Sequence, residues 1–515
     1  MTGSHLILKP GTAWSDAYAR CREVAPEAFD ADHQVRNLWN GTWHRDGRPS
    51  PATSPVDGTA ITGPPRLDTA AALDAVRAAH DAHRAWREVP PAERKARVVA
   101  TLDALAEHRD LLALLLVWEI GKPWRLACAD VDRCIEGVRW YVEEIDRMVE
   151  GRTPLEGPVS NIASWNYPMS VLVHAMLVQV LAGNAAVAKT PTDGGLACLT
   201  LSCALAAREG LPFTLVSGGG AELSPALVQA PEIACVSFVG GRDAGGQIAT
   251  ALTDLERRHI LEQEGLNCWG VWEYGDWDKL TGQIRKTFDY AKQRCTAYPR
   301  FVVQRSLFDR FLGSYLDAVR QVRFGHPLAV EHPEDELPEL DFGPLINNAK
   351  AKELANQLDE AVAKGAVPIH RGSLDDGRFL PGQDTSAYVA PASILAPPRS
   401  SPLFHAEPFG PVDTIVLVDT EAELLATMNA SNGALVATLS CDDAVTAKRL
   451  AGEVRAFKVG INGPRSRGDR EEFFGGLGSS WRGAFVGGEL LVRAVTEGPA
   501  DERLPGNFPA YTLQP

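Results

Sequence analysis

From residue 158 onward the chain alternates between short apolar strand runs and segments of helical length. "VSNIASWN" reads as a buried strand, "MSVLVHAMLVQVLAGN" as a helix and "AAVAKT" as a strand. A helix over 195–209, the strand "FTLVSGGG", another helix, the strand "IACVSFVGG" and a further helix follow. A second block, about 268–463, repeats the pattern with "PRFVVQ", "DTIVLV" and "VATLS" as strands. Consecutive strands separated by a helix cannot pair through a tight hairpin. They must cross over, which makes the sheet parallel and covers both of its faces with helices. The alternation therefore predicts an α/β chain. Its 515 residues are too many for one ordinary core, so two doubly wound parallel-sheet domains are expected.

Upstream of 158 the texture is mostly helical. Residues 1–35 read as an extension with one short helix. "NLWNGTWHRDG" reads as two strand fragments around Asn-Gly, a hairpin signal. "DTAAALDAVRAAHDAHRAW" has helical spacing with Asp68 placed as its N-cap, and "PPAERKARVVATLDALAEHRDLLALLLVWEIGK" reads as two more helices. The longest apolar run, "LLALLLVW" at 111–118, is far too short to span a bilayer, and "MTGSHLILKPGTAWSD" has no long apolar core of the signal-peptide kind. Nine cysteines without C-x-x-C spacing fit a reducing compartment, so a cytoplasmic location is expected and no metal site. A net charge of −15 argues against nucleic acid or an anionic membrane as a general partner; any anionic ligand would need a local basic pocket.

Two features raise the question of chemistry. In "FDYAKQRCTAYPR" (288–300) Cys295 follows Lys292 and Arg294. Nearby cations lower a thiol's pKa, so the stretch could hold a nucleophile; it could equally be a buried helix whose cations face solvent. Gly-rich turns at 217–220 and 238–245 each follow a strand and precede a helix, a placement that suits phosphate binding. Neither matches G-x-G-x-x-G, and plain turn glycines explain them as well.

The ordered set "SWNYP" (164–168), "AGNAAVAKT" (182–190), "SFVGG" (237–241), "LEQEG" (261–265), "QRCTA" (293–297) and "EPFGPV" (407–412) resembles the aldehyde dehydrogenase superfamily over roughly residues 37–498. Around Cys295 it is similar to the branch containing non-phosphorylating glyceraldehyde-3-phosphate dehydrogenase and phosphonoacetaldehyde dehydrogenase. The resemblance implies an N-terminal extension (1–35), a Rossmann-like NAD(P)-binding domain (36–262), a catalytic domain (263–463) and a segment returning to the cofactor domain, with the tail (464–515). It implies NAD(P)-dependent oxidation of an aldehyde to an acid. Cys295 would add to the carbonyl carbon, Asn166 and the cysteine's own N–H would hold the oxyanion, and Glu262 would activate water against the thioester. Trp165, Lys189, Thr192, Gly220, Gly240, Gly241, Glu407 and Phe409 would bind NADP or NAD. Thr192 stands where NAD-specific members often place Glu, which tilts the expectation towards NADP. Arg133, Arg294 and Arg467 match positions that bind a substrate phosphate or phosphonate in that branch, so a small anionic aldehyde is expected. The alternatives are a CoA-acylating member, or a catalytically degenerate one acting as a binding protein.

The sequence also departs from the family pattern. Gln263 and Glu264 replace an apolar residue and a glycine beside Glu262, and Lys292 replaces a glycine before Arg294. The short "EGRTPLEGP" leaves out most of the usual oligomerisation hairpin. The tail, with Pro505, Pro509 and Pro515, reads as lacking the final strand. A monomer or homodimer is therefore expected in place of a tetramer.

Overall fold

The computed structural model describes residues 6–252, 257–431 and 433–508. Two large sheets organise it. The first runs, in spatial order, Gly506–Asn507, Trp481–Ala484, Arg258–Gln263, Cys235–Gly240, Val159–Ile162, Ala186–Lys189, Phe213–Val216, Asn37–Trp39 and Thr42–His44. The second runs Val367–Arg371, Ala392–Leu395, Val412–Val418, Arg300–Gln304, Cys268–Val271, Val436–Ser440 and Lys458–Ile461. The chain is α/β with helices over both sheets, as the alternation predicts.

The sheets are mixed and not wholly parallel. Their centres are parallel, as helical crossovers demand, but strands outside the crossover pattern join the edges antiparallel. Asn37–Trp39 pairs antiparallel with Phe213–Val216, Trp481–Ala484 with Arg258–Gln263, and Val367–Arg371 with Ala392–Leu395.

Local signals translate directly. Asn40 and Gly41 take φ of 52° and 64°, the left-handed pair that a two-residue hairpin between Asn37–Trp39 and Thr42–His44 requires. Asp68 caps the helix Thr69–Trp86, its Oδ1 accepting from the Ala71 N–H at 2.9 Å. The apolar run at 111–118 lies within the buried helix Arg109–Ile120. Among the described residues no helix is long and apolar enough to cross a membrane.

The described part of the N-terminal segment carries one short helix, Trp14–Val24, whose Tyr18 and Cys21 join the core, while Ile7–Leu8 pairs with Ala329–Val330. Two expectations need correction. The helix after Tyr167 opens as a wide π-turn, Pro168–Val173, before it tightens into His174–Leu181. The tail does contribute strands: Thr496–Glu497 pairs with Thr153–Pro154, and Gly506–Asn507 follows Pro505 directly onto the sheet edge. Proline is tolerated there because an edge strand needs no donor on its free side. Pro509 and Pro515 lie outside the described residues. Arg152 binds Glu502 at 2.8 Å and Arg493 binds it at 3.0 Å, fastening this tail to the short strand pair.

Candidate active site

Cys295 stands between the two sheets, at the end of a loop held from several directions. Tyr290, Ala291 and Lys292 take φ of 59°, 53° and 57°, three successive non-glycine residues in a left-handed turn. Each such residue is disfavoured by its Cβ, so the turn persists only because its surroundings over-determine it. The Gln293 amide donates to the Pro344 carbonyl at 3.1 Å and accepts from the Ile346 N–H at 3.1 Å. Asn267 donates to the carbonyls of Cys295 and Ala297 at 2.7 and 2.8 Å, while its own oxygen accepts from Val436 at 3.1 Å. Asn166 is buried and donates to the Gln293 carbonyl at 3.1 Å, using one of its two amide hydrogens.

Lys292 does not face the thiol. The left-handed backbone turns it inward, where it meets Asp413 at 2.9 Å, Thr287 at 2.7 Å and the Tyr298 carbonyl at 3.0 Å, fully buried. Its expected part in thiolate formation is therefore withdrawn; its charge holds the loop. Asp413→Ala leaves that ammonium buried and unpaired, and is expected to cost about 3–5 kcal/mol of stability. Thermal unfolding of the variant against Lys292→Met/Asp413→Leu, which removes both charges, checks this: the double variant should be the more stable.

The thiol's pKa moves up, not down. Burial is the largest cause, followed by the Glu262 charge, and Glu407 adds to it; Arg467 opposes them. The cations beside Cys295 in sequence are outweighed by carboxylates beside it in space. Glu262, at the end of Arg258–Gln263, is buried, and its carboxylate stands close enough to act as acceptor for the thiol proton. Arg467 reaches the same carboxylate, Nη2 to Oε2, at 2.7 Å, while its guanidinium lies over the Phe474 ring. Arg467 is thus brought to the site, but bound to Glu262. Glu136, on the same helix as Arg133, pairs with Arg470 at 2.8 Å.

Arg294 and Arg133 have no carboxylate partner among the described residues. Arg294 donates only to the Lys286 carbonyl at 3.3 Å, and Arg133 is exposed on the helix Trp124–Met148. The charges of both reach half-buried Tyr167, as does that of Cys295. Trp165 and Phe409 stack edge-to-face at 5.9 Å beside them.

The residues expected to hold a dinucleotide form a second group. Glu407 is buried, and neither of its oxygens has a hydrogen-bond partner. Burial and then the Glu264 charge push its carboxyl well above the usual range, and the nearby Gly265 N–H offsets this only in part. A buried acceptor of this kind suits a pair of ribose hydroxyls. Lys189 is buried, donates to the Thr190 carbonyl at 2.8 Å, and has its pKa pressed down to about 8 by burial and then by Arg66. Thr192 is exposed beside it. Added Cβ atoms at Gly220 and Gly241 would meet open space, whereas one at Gly240 would strike the Phe238 ring at 2.6 Å. Gly240 is thus small for packing, and Gly220 and Gly241 leave room for a ligand. Sequence reasoning missed Asn267 and Arg66. The first follows the altered "EQEG" by two positions; the second lies in a loop with no motif of its own.

The aldehyde dehydrogenase family signature matches residues 43–497. The glutarate-semialdehyde dehydrogenase of Pseudomonas putida is 26% identical over 442 residues, covering 82% of this chain and 88% of the relative. The mitochondrial succinate-semialdehyde dehydrogenase of Homo sapiens is 25% identical over 475 residues, covering 88% and 85%. The crystal structure of NADP-dependent glyceraldehyde-3-phosphate dehydrogenase from Bacillus halodurans C-125, complexed with NADP, superposes with a TM-score of 0.81 at 26% identity, over 90% of this chain and 98% of that one. With its fold and its thiol–carboxylate pair, this chain belongs to the aldehyde dehydrogenase family and is an oxidoreductase.

Proposed function

We propose that the chain oxidises a small anionic aldehyde, carrying a phosphate or phosphonate, to its carboxylic acid with NADP or NAD. The observation that carries this reading is the line from Arg467 through Glu262 to Cys295, opening on a mouth where Arg294 and Arg133 lack acidic partners.

Cys295 Sγ attacks the aldehyde carbon, forming a C–S bond as the thiol proton passes to Glu262. Burial raises the thiol's pKa, and Glu262 assists this step by accepting the proton, whereas hydrolysis of the thioester depends on it. The second amide hydrogen of Asn166 and the Cys295 N–H are the donors for the resulting oxyanion. Glu407 and Lys189 would hold a dinucleotide, which would supply the hydride acceptor for the oxidation. Glu262, once it has released the thiol's proton to solvent, takes a proton from water as that water attacks the thioester, and the C–S bond breaks to release the acid and return the sulfur as thiolate. A carboxylate kept this close to the thiol favours hydrolysis over transfer to CoA.

Arg66 lies close enough to Lys189 to disfavour the lysine's charge, which suits a 2′-phosphate beside the two cations and favours NADP. The substrates of the similar enzymes support an anionic aldehyde: glutarate and succinate semialdehydes carry carboxylates, and glyceraldehyde 3-phosphate a phosphate. The short arm at Thr153–Pro154 supports a monomer or homodimer.

The test is a panel of phosphorylated, phosphonate, carboxylate-bearing and neutral aldehydes with each dinucleotide, following absorbance of the reduced cofactor. Arg294→Ala is expected to cost roughly ten- to a hundred-fold in kcat/KM for anionic aldehydes, and much less for neutral ones. Equal use of neutral and anionic aldehydes by the unaltered protein sinks the anionic reading and leaves the family assignment intact.

A further inference from the structure

The strands Cys235–Gly240 and Arg258–Gln263 are parallel neighbours, with Gly240 opposite Gln263. Residues 242 and 264 therefore emerge side by side over the carboxyl ends of two central strands, the crevice where open α/β sheets bind ligands. One is Arg242, which starts the helix Arg242–Leu252; the other is Glu264. They form an ion pair, Nε to Oε1, at 3.6 Å, with both side chains partly exposed. Arg242 has spare capacity, since Nε and Nη2 are buried without a hydrogen-bond partner. A separate observation marks the crevice as a ligand site. Glu407, buried and with both oxygens unpartnered, lies within the field of Glu264, and Gly241 leaves open space beside Arg242.

We propose that Arg242 and Glu264 form a latch across the dinucleotide crevice: Arg242 is the cation that receives the diphosphate, and Glu264 holds it until the dinucleotide takes its place. This rests on the cofactor reading above. The geometry requires the exchange. A helix N-terminus already favours anionic oxygens, and a guanidinium fork matches them better than it matches one oxygen at 3.6 Å. Glu264 cannot remain the partner of Arg242 once a diphosphate stands between them, because its charge would then face two like charges. Glu264 also stands beside Glu407, so opening the latch carries a negative charge away from the carboxylate that must accept the ribose hydroxyls. The pair is partly exposed, and so is weak enough to open.

A double-mutant cycle tests this by calorimetric titration of NADP, NAD and inorganic pyrophosphate into the full-length protein, with no turnover involved. Arg242→Gln should weaken all three by roughly ten- to a hundred-fold. Glu264→Gln should tighten all three, because it removes both the competitor and a repulsive charge. The gain from Glu264→Gln should be roughly two- to five-fold larger in the Arg242 background than in the Arg242→Gln background, the difference being the pair itself. Equal gains in both backgrounds overturn the latch and leave the cofactor reading standing, as does unchanged affinity in Arg242→Gln. Unaltered protein that binds neither dinucleotide overturns both.

Discussion

Cys295→Ser is expected to lose aldehyde oxidation by at least about a thousand-fold while still binding dinucleotide, because a serine hydroxyl is far less acidic than a thiol and a much weaker nucleophile even beside Glu262. The loss is chemical and not structural. The Cys295 carbonyl, which Asn267 holds, is untouched by the exchange, and so are the supports at Gln293 and Asn166. Steady-state turnover with a responsive aldehyde, beside a dinucleotide titration of the same preparation, separates the two effects. More than a few per cent of residual turnover would remove Cys295 from the mechanism.

Glu262→Gln should slow steady-state turnover by roughly a hundred- to ten-thousand-fold, the usual weight of a general base. It should also leave a burst of reduced cofactor, since hydrolysis suffers most. A second readout carries the opposite sign. The Glu262 charge and its acceptor oxygen both raise the Cys295 pKa, so removing the charge lowers it. At pH 7 the variant holds more thiolate than the unaltered protein, and alkylation of Cys295 by iodoacetamide should be faster in it. The alkylation rate of the unaltered protein should still be climbing above pH 9, and the variant's profile should be displaced to lower pH. If Glu264→Gln produces the stall instead, the wrong carboxylate has been assigned. A variant slower in both assays would mean that Glu262 serves the loop's structure.

The sequence carried the strand–helix alternation because burial on both sheet faces demands apolar runs, and because crossovers demand helices of matching length. It carried the hairpin at Asn40-Gly41 and the cap at Asp68 because those depend on neighbours along the chain. It carried less where the outcome depends on residues that only folding brings together. Arg467 lies 205 positions from Glu262, and no local pattern tells which acid a guanidinium will choose. Lys292 beside Cys295 looked like electrostatic help; three left-handed residues reversed its direction and gave it to Asp413. The thiol's pKa was misjudged for the same reason. Sequence displays the flanking cations, while burial and the carboxylates that raise the pKa come from elsewhere in the chain, Glu262 from the strand Arg258–Gln263 and Glu407 from the loop before Val412–Val418. The antiparallel pairing of these edges was hidden because their strands lie outside the repeating pattern.

The left-handed turn at Tyr290–Lys292 makes the motif "QRCTA" an incomplete description of its own reactivity. The sulfur's position is set by Asn166, Asn267, Pro344 and Asp413, which come from four separate stretches of the chain. A homologue could keep every letter of the motif, exchange Asp413 or Asn267, and present its cysteine to a different point in space. Among relatives of this chain, the identities at those distant positions should therefore sort working sites from silent ones better than the spelling around the cysteine does.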